Sequence, residues 1–304
     1  MLDWMRAHNL ARGDRARISF AGFDCQSADV AAGMVISYLD RHGTADAATA
    51  RQLYAGADKL AGLETQGLSG TDKERLKQDA AKVLQLVELR RAGALDDTAL
   101  RDHRRAVQAA RVVVQAAELV TAVQAGVVRD RCMAENVRWL LETEYPREKI
   151  VLWAHNGHVA TAPFAGGKSL GMHLRETYGR QMVVLGFGAH HGTVRAVRMK
   201  DGAFVKGGPV ALDLAPAIAS SIEALFQDAG LPRFILDFRG LPKDGPLASW
   251  LARPRQYRSI GAGYDPDRAS DAYDSWIVPD RYDGFVFIAQ STAAKPLIAP
   301  NQSR

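Results

Sequence analysis

The stretch that decides the fold of this 304-residue chain is KIVLWAHNGH at residues 149–158. A short apolar run bounded by a charged residue on one side and Asn-Gly on the other is typical of a buried strand that ends in a loop. Ligands of open α/β sheets bind beyond the carboxyl ends of such strands. His155 and His158 stand at this predicted strand end, three residues apart, and are therefore the first candidates for a functional site.

The segments around this stretch alternate between strand and helix patterns. Further strands are predicted at residues 17–24, 181–187, 193–197, 234–238 and 284–288, and helices at residues 28–39, 169–178 and 217–227. Strands interleaved with helices predict an α/β fold, with a mostly parallel sheet flanked by helices.

The middle of the chain has a helical pattern from about residue 45 to residue 144, with predicted breaks at residues 67–70 and 91–93. Apolar residues recur there at three- and four-residue spacing, which indicates packed helix faces. One such stripe consists of Leu76, Ala80, Val83 and Val87, and a second consists of Val107, Ala110, Val114 and Ala117. We expect a single domain over residues 1–304 with a helical insertion at residues 45–128.

The composition excludes several classes of protein. No apolar run approaches the roughly 18 residues that a membrane span needs, and the first residues lack a signal-peptide pattern, so we expect a cytoplasmic protein without a membrane partner. The net charge of +5 comes mostly from arginines scattered along predicted helices without interleaved aromatic residues. Nucleic acid is therefore not an expected partner. Cys25 and Cys132 lack ligand spacing and are predicted to be buried free thiols.

The candidate residues at the two predicted strand ends, His155, His158 and Asp24, each also have a purely structural interpretation. Histidines at strand ends are often hydrogen-bonded core residues, and His158 could be solvated in its loop. A His-x-x-His pair could bind zinc, but no third ligand is evident at a suitable spacing. Asp24 ends the first predicted strand just before a helix, so it is either a site carboxylate or a helix N-cap.

Three further polar residues precede the histidines on a predicted helix. Glu135 and Asn136 flank an apolar stripe, so one of them is expected to face solvent. Arg129 could form an ion pair with Asp130 at the start of the helix.

The segment His190-His191-Gly192 follows the strand predicted at residues 181–187, so it is a further candidate at a strand end. The alternative is that the segment is an exposed turn.

The motifs of several other enzyme classes do not occur in the sequence. A Gly-X-Ser-X-Gly elbow is absent, which argues against a serine α/β-hydrolase. The glycine patterns of phosphate-binding and dinucleotide-binding loops are also absent.

Several stretches closely resemble the signature of the erythromycin esterase-like hydrolases. They are RD at residues 129–130, MAEN at 133–136, WLL at 139–141, WAHNGH at 153–158, LGMHL at 170–174 and YG at 178–179. The resemblance extends outward to GFDCQ at residues 22–26 and PDRYDGFVFI at residues 279–288. It spans nearly the whole chain and is dense from residue 129 to residue 192.

This resemblance implies a metal-independent hydrolase of carboxylic esters that uses no cofactor. Histidine-activated water attacks the ester carbonyl, and the best-known members open a macrolide lactone. The implied catalytic residues are His155, His158 and Glu135, and the residues implied to bind or orient a small-molecule ester are Asp24, Asn136 and Arg129.

The chain departs from the family pattern at its start. A Gly-Glu and histidine motif that supplies the general base has no counterpart before residues 22–24, and WMRAHN at residues 4–9 resembles a family segment downstream of that motif. We therefore expect an N-terminally truncated member. Loss of a general base typically costs on the order of 10²–10⁴-fold in rate, unless His155, oriented by Asp24 or Glu135, takes over that role.

The alternative to a hydrolase is a non-catalytic remnant that binds a small molecule or a partner chain. A missing strand would leave one edge of the sheet open, which favours self-association.

Overall fold

A computed structural model describes residues 1–12, 17–57, 67–90 and 96–296 of the chain. The chain divides into two compact units, Met1–Arg147 and Glu148–Arg304. The boundary between these units differs from the edges of the helical insertion expected at residues 45–128. The single-domain organisation stays a prediction, and each unit is described by itself below.

The first unit is helical in its described residues. Its helices are α1 (Leu2–Arg12), α2 (Asp29–His42), α3 (Thr44–Leu53), α4 (Gly70–Leu89), α5 (Asp97–Thr121) and α6 (Ala125–Trp139), followed by a π-helical turn at Leu140–Glu144. The side chains of Ser69 and Asp96 cap α4 and α5 by accepting the backbone N–H of Asp72 and Ala99. Such caps satisfy N–H groups that the helix itself leaves unpaired, and each contributes about 1 kcal/mol.

The core of the first unit lies where α2, α3, α4 and α5 meet. The stripe of Leu76, Ala80, Val83 and Val87 is buried, as predicted. In the second stripe Ala110 and Ala117 are fully buried, while Val107 and Val114 are partly buried against the same core. Because many of the core residues of α5 are alanines, little side-chain volume separates this helix from its neighbours.

The second unit combines short helices with two sheets. Its helices are α7 (Asn156–Val159), α8 (Leu170–Tyr178), α9 (Ile222–Asp228) and α10 (Gly245–Leu251), and its strands are β1 (Leu185–Lys200), β2 (Ala203–Leu214), β3 (Arg233–Asp237), β4 (Arg255–Arg258), β5 (Gly263–Tyr264), β6 (Tyr273–Trp276) and β7 (Gly284–Ser291).

The main sheet has the strand order β2-β1-β7-β3, and β5 also pairs with β1. The pairings of β1 with β7 and with β5 are parallel, whereas those of β1 with β2 and of β3 with β7 are antiparallel. A second sheet consists of β4 and β6. The α/β class is thus confirmed in its coarse form, and the described sheet is mixed.

One face of the main sheet packs against aromatic rings. Phe285 and Phe287 of β7 are fully buried there, together with Phe226 of α9. Neighbouring positions on β1 are Gly186 and Gly188, where a Cβ atom would lie 2.8 Å from the rings of Tyr282 and Phe285. The glycines leave room for these rings, since real Cβ atoms essentially never approach heavy atoms so closely.

Two predicted strands are wrong. Residues 17–24 and residues 149–152, all of them described, form no strand. Extended backbone becomes a strand only where a neighbouring segment accepts and donates its hydrogen bonds, and an apolar pattern does not supply that neighbour. In agreement, Phe20 is 66% exposed and Val151 is 90% exposed, so these apolar runs are not buried.

The remaining predicted elements are largely confirmed. The helices predicted at residues 28–39, 169–178 and 217–227 correspond to α2, α8 and α9, and the late strands correspond to β3 and β7. The strands predicted at 181–187 and 193–197 are one long strand, β1, so the interpretation of His190-His191-Gly192 as a strand end or an exposed turn is wrong. The antiparallel partner β2 was not predicted, and the break at residues 91–93 lies outside the described residues.

The two cysteines are buried and unoxidised, as predicted. A hydrogen bond from Cys132 and burial both raise the pKa of the Cys25 thiol. In the described parts of the chain, no helix combines the length and the apolar character needed to cross a membrane.

The tight packing of the helical core gives a direct test. Ala50 of α3 is fully buried, whereas Ala48 of the same helix is exposed. We expect Ala50→Leu to lower the free energy of unfolding by about 1–3 kcal/mol, because the added methylene groups must displace packed neighbours. Chemical denaturation measures this change. Ala48→Leu is the matched control and should change stability by less than about 0.5 kcal/mol; equal effects of the two substitutions would contradict the packing described for α3.

Candidate functional site

The two histidines of the sequence motif lie on a short turn in the second unit. His155 is the N-cap of the single-turn helix α7, and its backbone carbonyl accepts hydrogen bonds from the N–H groups of His158 and Val159. The His155 Nδ1 atom accepts the backbone N–H of Gly157 at 3.1 Å. The histidine therefore performs the role that Ser, Asp or Asn usually has at a helix start.

The turn is attached to the main sheet through the side chain of Asn156. The Asn156 Nδ2 group donates to the carbonyl of Phe187 at 2.7 Å, and the Asn156 Oδ1 atom accepts the N–H of Phe187 at 3.0 Å. Phe187 is the third residue of β1, so the attachment lies near the amino-terminal end of that strand. The Asn156 carbonyl also accepts from the hydroxyl of the buried Tyr282, at 3.3 Å.

Aromatic packing fixes the rings of the turn. The ring centroids of His155 and His158 are 6.3 Å apart, and Phe164 contacts both, at 5.9 Å and 5.0 Å. Gly157 is buried under Phe164, and a Cβ atom at this position would lie 2.3 Å from the Phe164 ring. The Asn-Gly pair in the motif is thus needed for packing as well as for the turn.

A backbone hydrogen bond sets the tautomer of His155. Because Nδ1 accepts the Gly157 N–H, the neutral ring carries its proton on Nε2. Burial and the adjacent His158 lower the pKa of His155 from its ordinary value of 6.5, against smaller opposing effects of Ile260 and Asp274. His155 is thus a neutral imidazole at neutral pH, with its proton on Nε2.

Asp24 and Arg129 form an ion pair within the first unit. The Arg129 Nε and Nη2 atoms donate to the two carboxylate oxygens of Asp24 at 3.1 Å and 2.6 Å, which is the bidentate geometry of a strong pair. Burial alone would raise the pKa of Asp24, but the hydrogen bonds and charge of Arg129 outweigh it, and the pKa lies below the ordinary 3.8. The N-cap interpretation of Asp24 is wrong, since α2 begins after Ala28.

The segment that carries Asp24 is tied to two residues of α6 that lie about two helical turns apart. Besides Arg129, the buried Asn136 donates from Nδ2 to the Phe23 carbonyl at 3.0 Å, and its Oδ1 atom accepts from Gln108 at 2.8 Å. The interpretation of Arg129 as a partner of the adjacent Asp130 was one alternative, and the structure shows the longer-range pair with Asp24.

Glu135 lies about 100° around α6 from Asn136, because an α-helix has about 3.6 residues per turn. Its side chain is exposed and pairs with Arg131 at 2.6 Å and with Gln115 at 3.0 Å. This confirms the expectation that one of the two adjacent residues faces solvent. Arg131 also pairs with Glu118, at 2.7 Å, so the Glu135 carboxylate belongs to a charged network on the helix surface.

The predicted site residues fall into two groups. Asp24, Arg129 and Asn136 come together in the first unit, and Glu135 lies one residue from Asn136. His155 and His158 come together in the second unit. The orientation of His155 by Asp24 or Glu135 stays a prediction.

Sequence reasoning missed the residues that support the histidines. Asn156 is inside the quoted motif, but the sequence pattern does not predict that its amide pairs with β1. Phe164 carries no signal either, since its contacts with the histidines depend on the folded chain.

The other histidine pair is part of β1. The Nδ1 atoms of His190 and His191 lie 3.1 Å apart, and the His190 carbonyl accepts from the buried Arg258. Among the described residues, no cluster of three or more His, Cys, Asp and Glu side chains could hold a metal ion.

Comparison with known proteins identifies the family. The family model of erythromycin esterase matches residues 1–291, so the chain belongs to the erythromycin esterase family. A curated relative is YbfO of Bacillus subtilis strain 168, which carries the name of a hydrolase and is 29% identical over 173 residues. That match covers 54% of this chain and 35% of YbfO, so the chain spans about a third of its relative's length.

Solved structures share the fold. A succinoglycan biosynthesis protein is 19% identical with a TM-score of 0.77, over 96% of this chain and 69% of the other. A protein from Bacillus cereus is 21% identical with a TM-score of 0.76, over 96% and 71% of the two chains. A mutant of the erythromycin esterase EreC in its open conformation is 16% identical with a TM-score of 0.67, over 95% and 72%.

The lowered pKa of His155 predicts a pH dependence of stability. Below the unfolded pKa of about 6.5 the unfolded chain takes up a proton that the folded chain resists, so stability falls as the pH drops from about 7 to about 5. The slope from this group is at most about 1.4 kcal/mol per pH unit. His155→Asn keeps a cap acceptor without a titrating ring and should show a flatter curve in thermal unfolding.

His155→Ala separates the contribution of the helix cap from that of the titrating ring. It removes the cap as well as the titrating ring, so its curve should be as flat as that of His155→Asn but lie lower by about 1 kcal/mol. Parallel curves for the original chain and His155→Asn would contradict the half-buried, neutral state of the His155 ring.

Proposed function

We propose that the chain is a hydrolase of carboxylic esters in which water, activated at the two-histidine turn, attacks the ester carbonyl without a metal ion. The observation that carries the proposal is the fixed turn itself, which holds two imidazoles and a phenyl ring in mutual contact. The family membership and the relative named as a hydrolase support the same class of reaction.

The geometry favours different roles for the two histidines. His155 uses its Nδ1 lone pair on the Gly157 N–H and carries its proton on Nε2, so it has no free nitrogen lone pair to take a proton from water. In our proposal it orients the turn and, as a neutral donor, polarises the carbonyl. His158 transfers the protons, accepting one from the attacking water and returning it to the leaving alcohol. Imidazole suits this task because its ordinary pKa lies near neutrality.

The residues of the first unit enter the proposal as supporting groups. Arg129 and Asp24 form a fixed charged pair, and Asn136 anchors the backbone beside them. We assign these three to substrate binding or orientation. Glu135 was implied as a catalytic residue, but its carboxylate pairs with Arg131 and Gln115, and we retain it as a support for Arg131 rather than as a base.

A non-catalytic binding protein is the second candidate. An exposed apolar face on the second unit favours it. Trp153 is 70% exposed and its ring contacts that of the exposed Phe187 in a tilted arrangement, with the ring centroids 5.6 Å apart. Ile235 of β3 is exposed on the same face of the sheet as Phe187. Exposed apolar patches of this kind mark surfaces that bind a ligand or another chain. Self-association through this face is one form of this candidate.

Hydrolysis assays with three matched substitutions test the proposal. We expect the chain to hydrolyse at least one ester in a panel of a macrolide lactone and simple aryl and alkyl esters. His158→Asn should lower kcat on the order of 10²–10⁴-fold, as expected for loss of a general acid–base group. His155→Asn should cost less, since an asparagine keeps the cap of the turn. His8→Asn, on helix α1, is the control and should leave the rate unchanged.

Two outcomes would contradict the hydrolase. One is a rate that His158→Asn leaves intact, and the other is the absence of turnover for every ester. In the second case, tryptophan fluorescence of the original chain and of Trp153→Phe measures binding, because the chain has five tryptophans. Quenching by an ester that Trp153→Phe removes would support the binding protein instead.

A further inference from the structure

The Asn156 side chain pairs with β1 in the way that a neighbouring strand would. A primary amide offers one acceptor and two donors, and here it uses an acceptor and a donor on the N–H and the carbonyl of a single residue, Phe187. In the described ladders, β7 pairs with β1 from Leu185, whereas β2 pairs with it only from Gly192 onward. The amide therefore occupies the side of Phe187 that has no strand partner among the described residues.

The same residue is also fixed through its backbone. The Asn156 carbonyl accepts the Tyr282 hydroxyl at 3.3 Å and the Ala160 N–H at 3.0 Å. Tyr282 is buried and its hydroxyl lies 3.4 Å from that of Tyr257. Asn156 is thus held by the sheet through its side chain and by a buried tyrosine through its main chain, and it sits directly between His155 and the Gly157-His158 pair.

We propose that Asn156 is a positioning residue for both histidines: its amide fixes the turn to β1 and so sets where His155 and His158 stand relative to the sheet. The kinetic part of this inference rests on the proposed ester hydrolysis, whereas its structural part does not. Asparagine is required at this position because the pairing needs a donor and an acceptor. An ionised aspartate offers only acceptors, and an aliphatic side chain offers neither a donor nor an acceptor.

The chain contains a matched control for this interaction. Asn9 of α1 makes the same two-way pairing with the backbone of Ile18, donating at 2.9 Å and accepting at 2.8 Å. Asn9→Asp therefore breaks an identical amide–backbone pairing in the first unit. Asn156→Asp breaks the pairing that holds the turn.

Amide hydrogen exchange measured by NMR tests the structural part. In Asn156→Asp at neutral pH the carboxylate repels the Phe187 carbonyl, and we expect exchange of the Gly157 N–H to accelerate by about tenfold, the equivalent of one lost hydrogen bond. Asn9→Asp should leave Gly157 exchange unchanged. Unchanged exchange in Asn156→Asp would overturn the inference.

Kinetics test the positioning of the reacting groups. Asn156→Asp should lower kcat on the order of 10²-fold while KM changes only a few-fold, because misplaced catalytic groups affect the reaction more than binding. Asn156→Gln keeps an amide on a longer side chain and should recover part of kcat. Wild-type kcat in Asn156→Asp would overturn the inference. If the original chain turns over no ester, the proposed function fails, and the exchange experiment alone decides the role of Asn156.

Discussion

The pairing of the Asn156 amide with the backbone of Phe187 is the interaction on which the candidate site depends. Extended backbone needs partners for its N–H and C=O groups, and at this point of β1 a side chain supplies both. Because Asn156 is adjacent to His155 and two residues from His158, its pairing with β1 also positions both histidines. His155 is held by the N–H of Gly157, and the ring of Phe164 contacts both histidines.

The need for backbone partners also explains which parts of the fold could be predicted from the sequence. Helices satisfy their hydrogen bonds locally, so the apolar spacing in α4 and α5 was sufficient to predict the buried faces correctly. Strands depend on a second segment. The apolar runs at residues 17–24 and 149–152 have the composition of strands, yet form none. The long strand β1 was split in prediction because His190 and His191 interrupt its apolar pattern.

The candidate site shows the same division between local and distant information. The motif at residues 153–158 identified the histidine pair, and the adjacent positions of Glu135 and Asn136 predicted that one is exposed and one is not. The pairing of Asp24 with Arg129 joins residues 105 positions apart, and no spacing rule predicts it. The contacts of Phe164 with both histidines likewise depend on the folded chain, and no signature in the sequence predicts them.

The candidate site depends most on the turn being an assembled unit in which His155 is a neutral, oriented imidazole beside His158. Long-range ¹⁵N–¹H correlation of the histidine rings at about pH 7 tests this state of His155. We expect the His155 ring to carry its proton on Nε2, with an unprotonated Nδ1 that accepts the Gly157 N–H. A His155 ring protonated on Nδ1, either as the other tautomer or as the imidazolium, would contradict it.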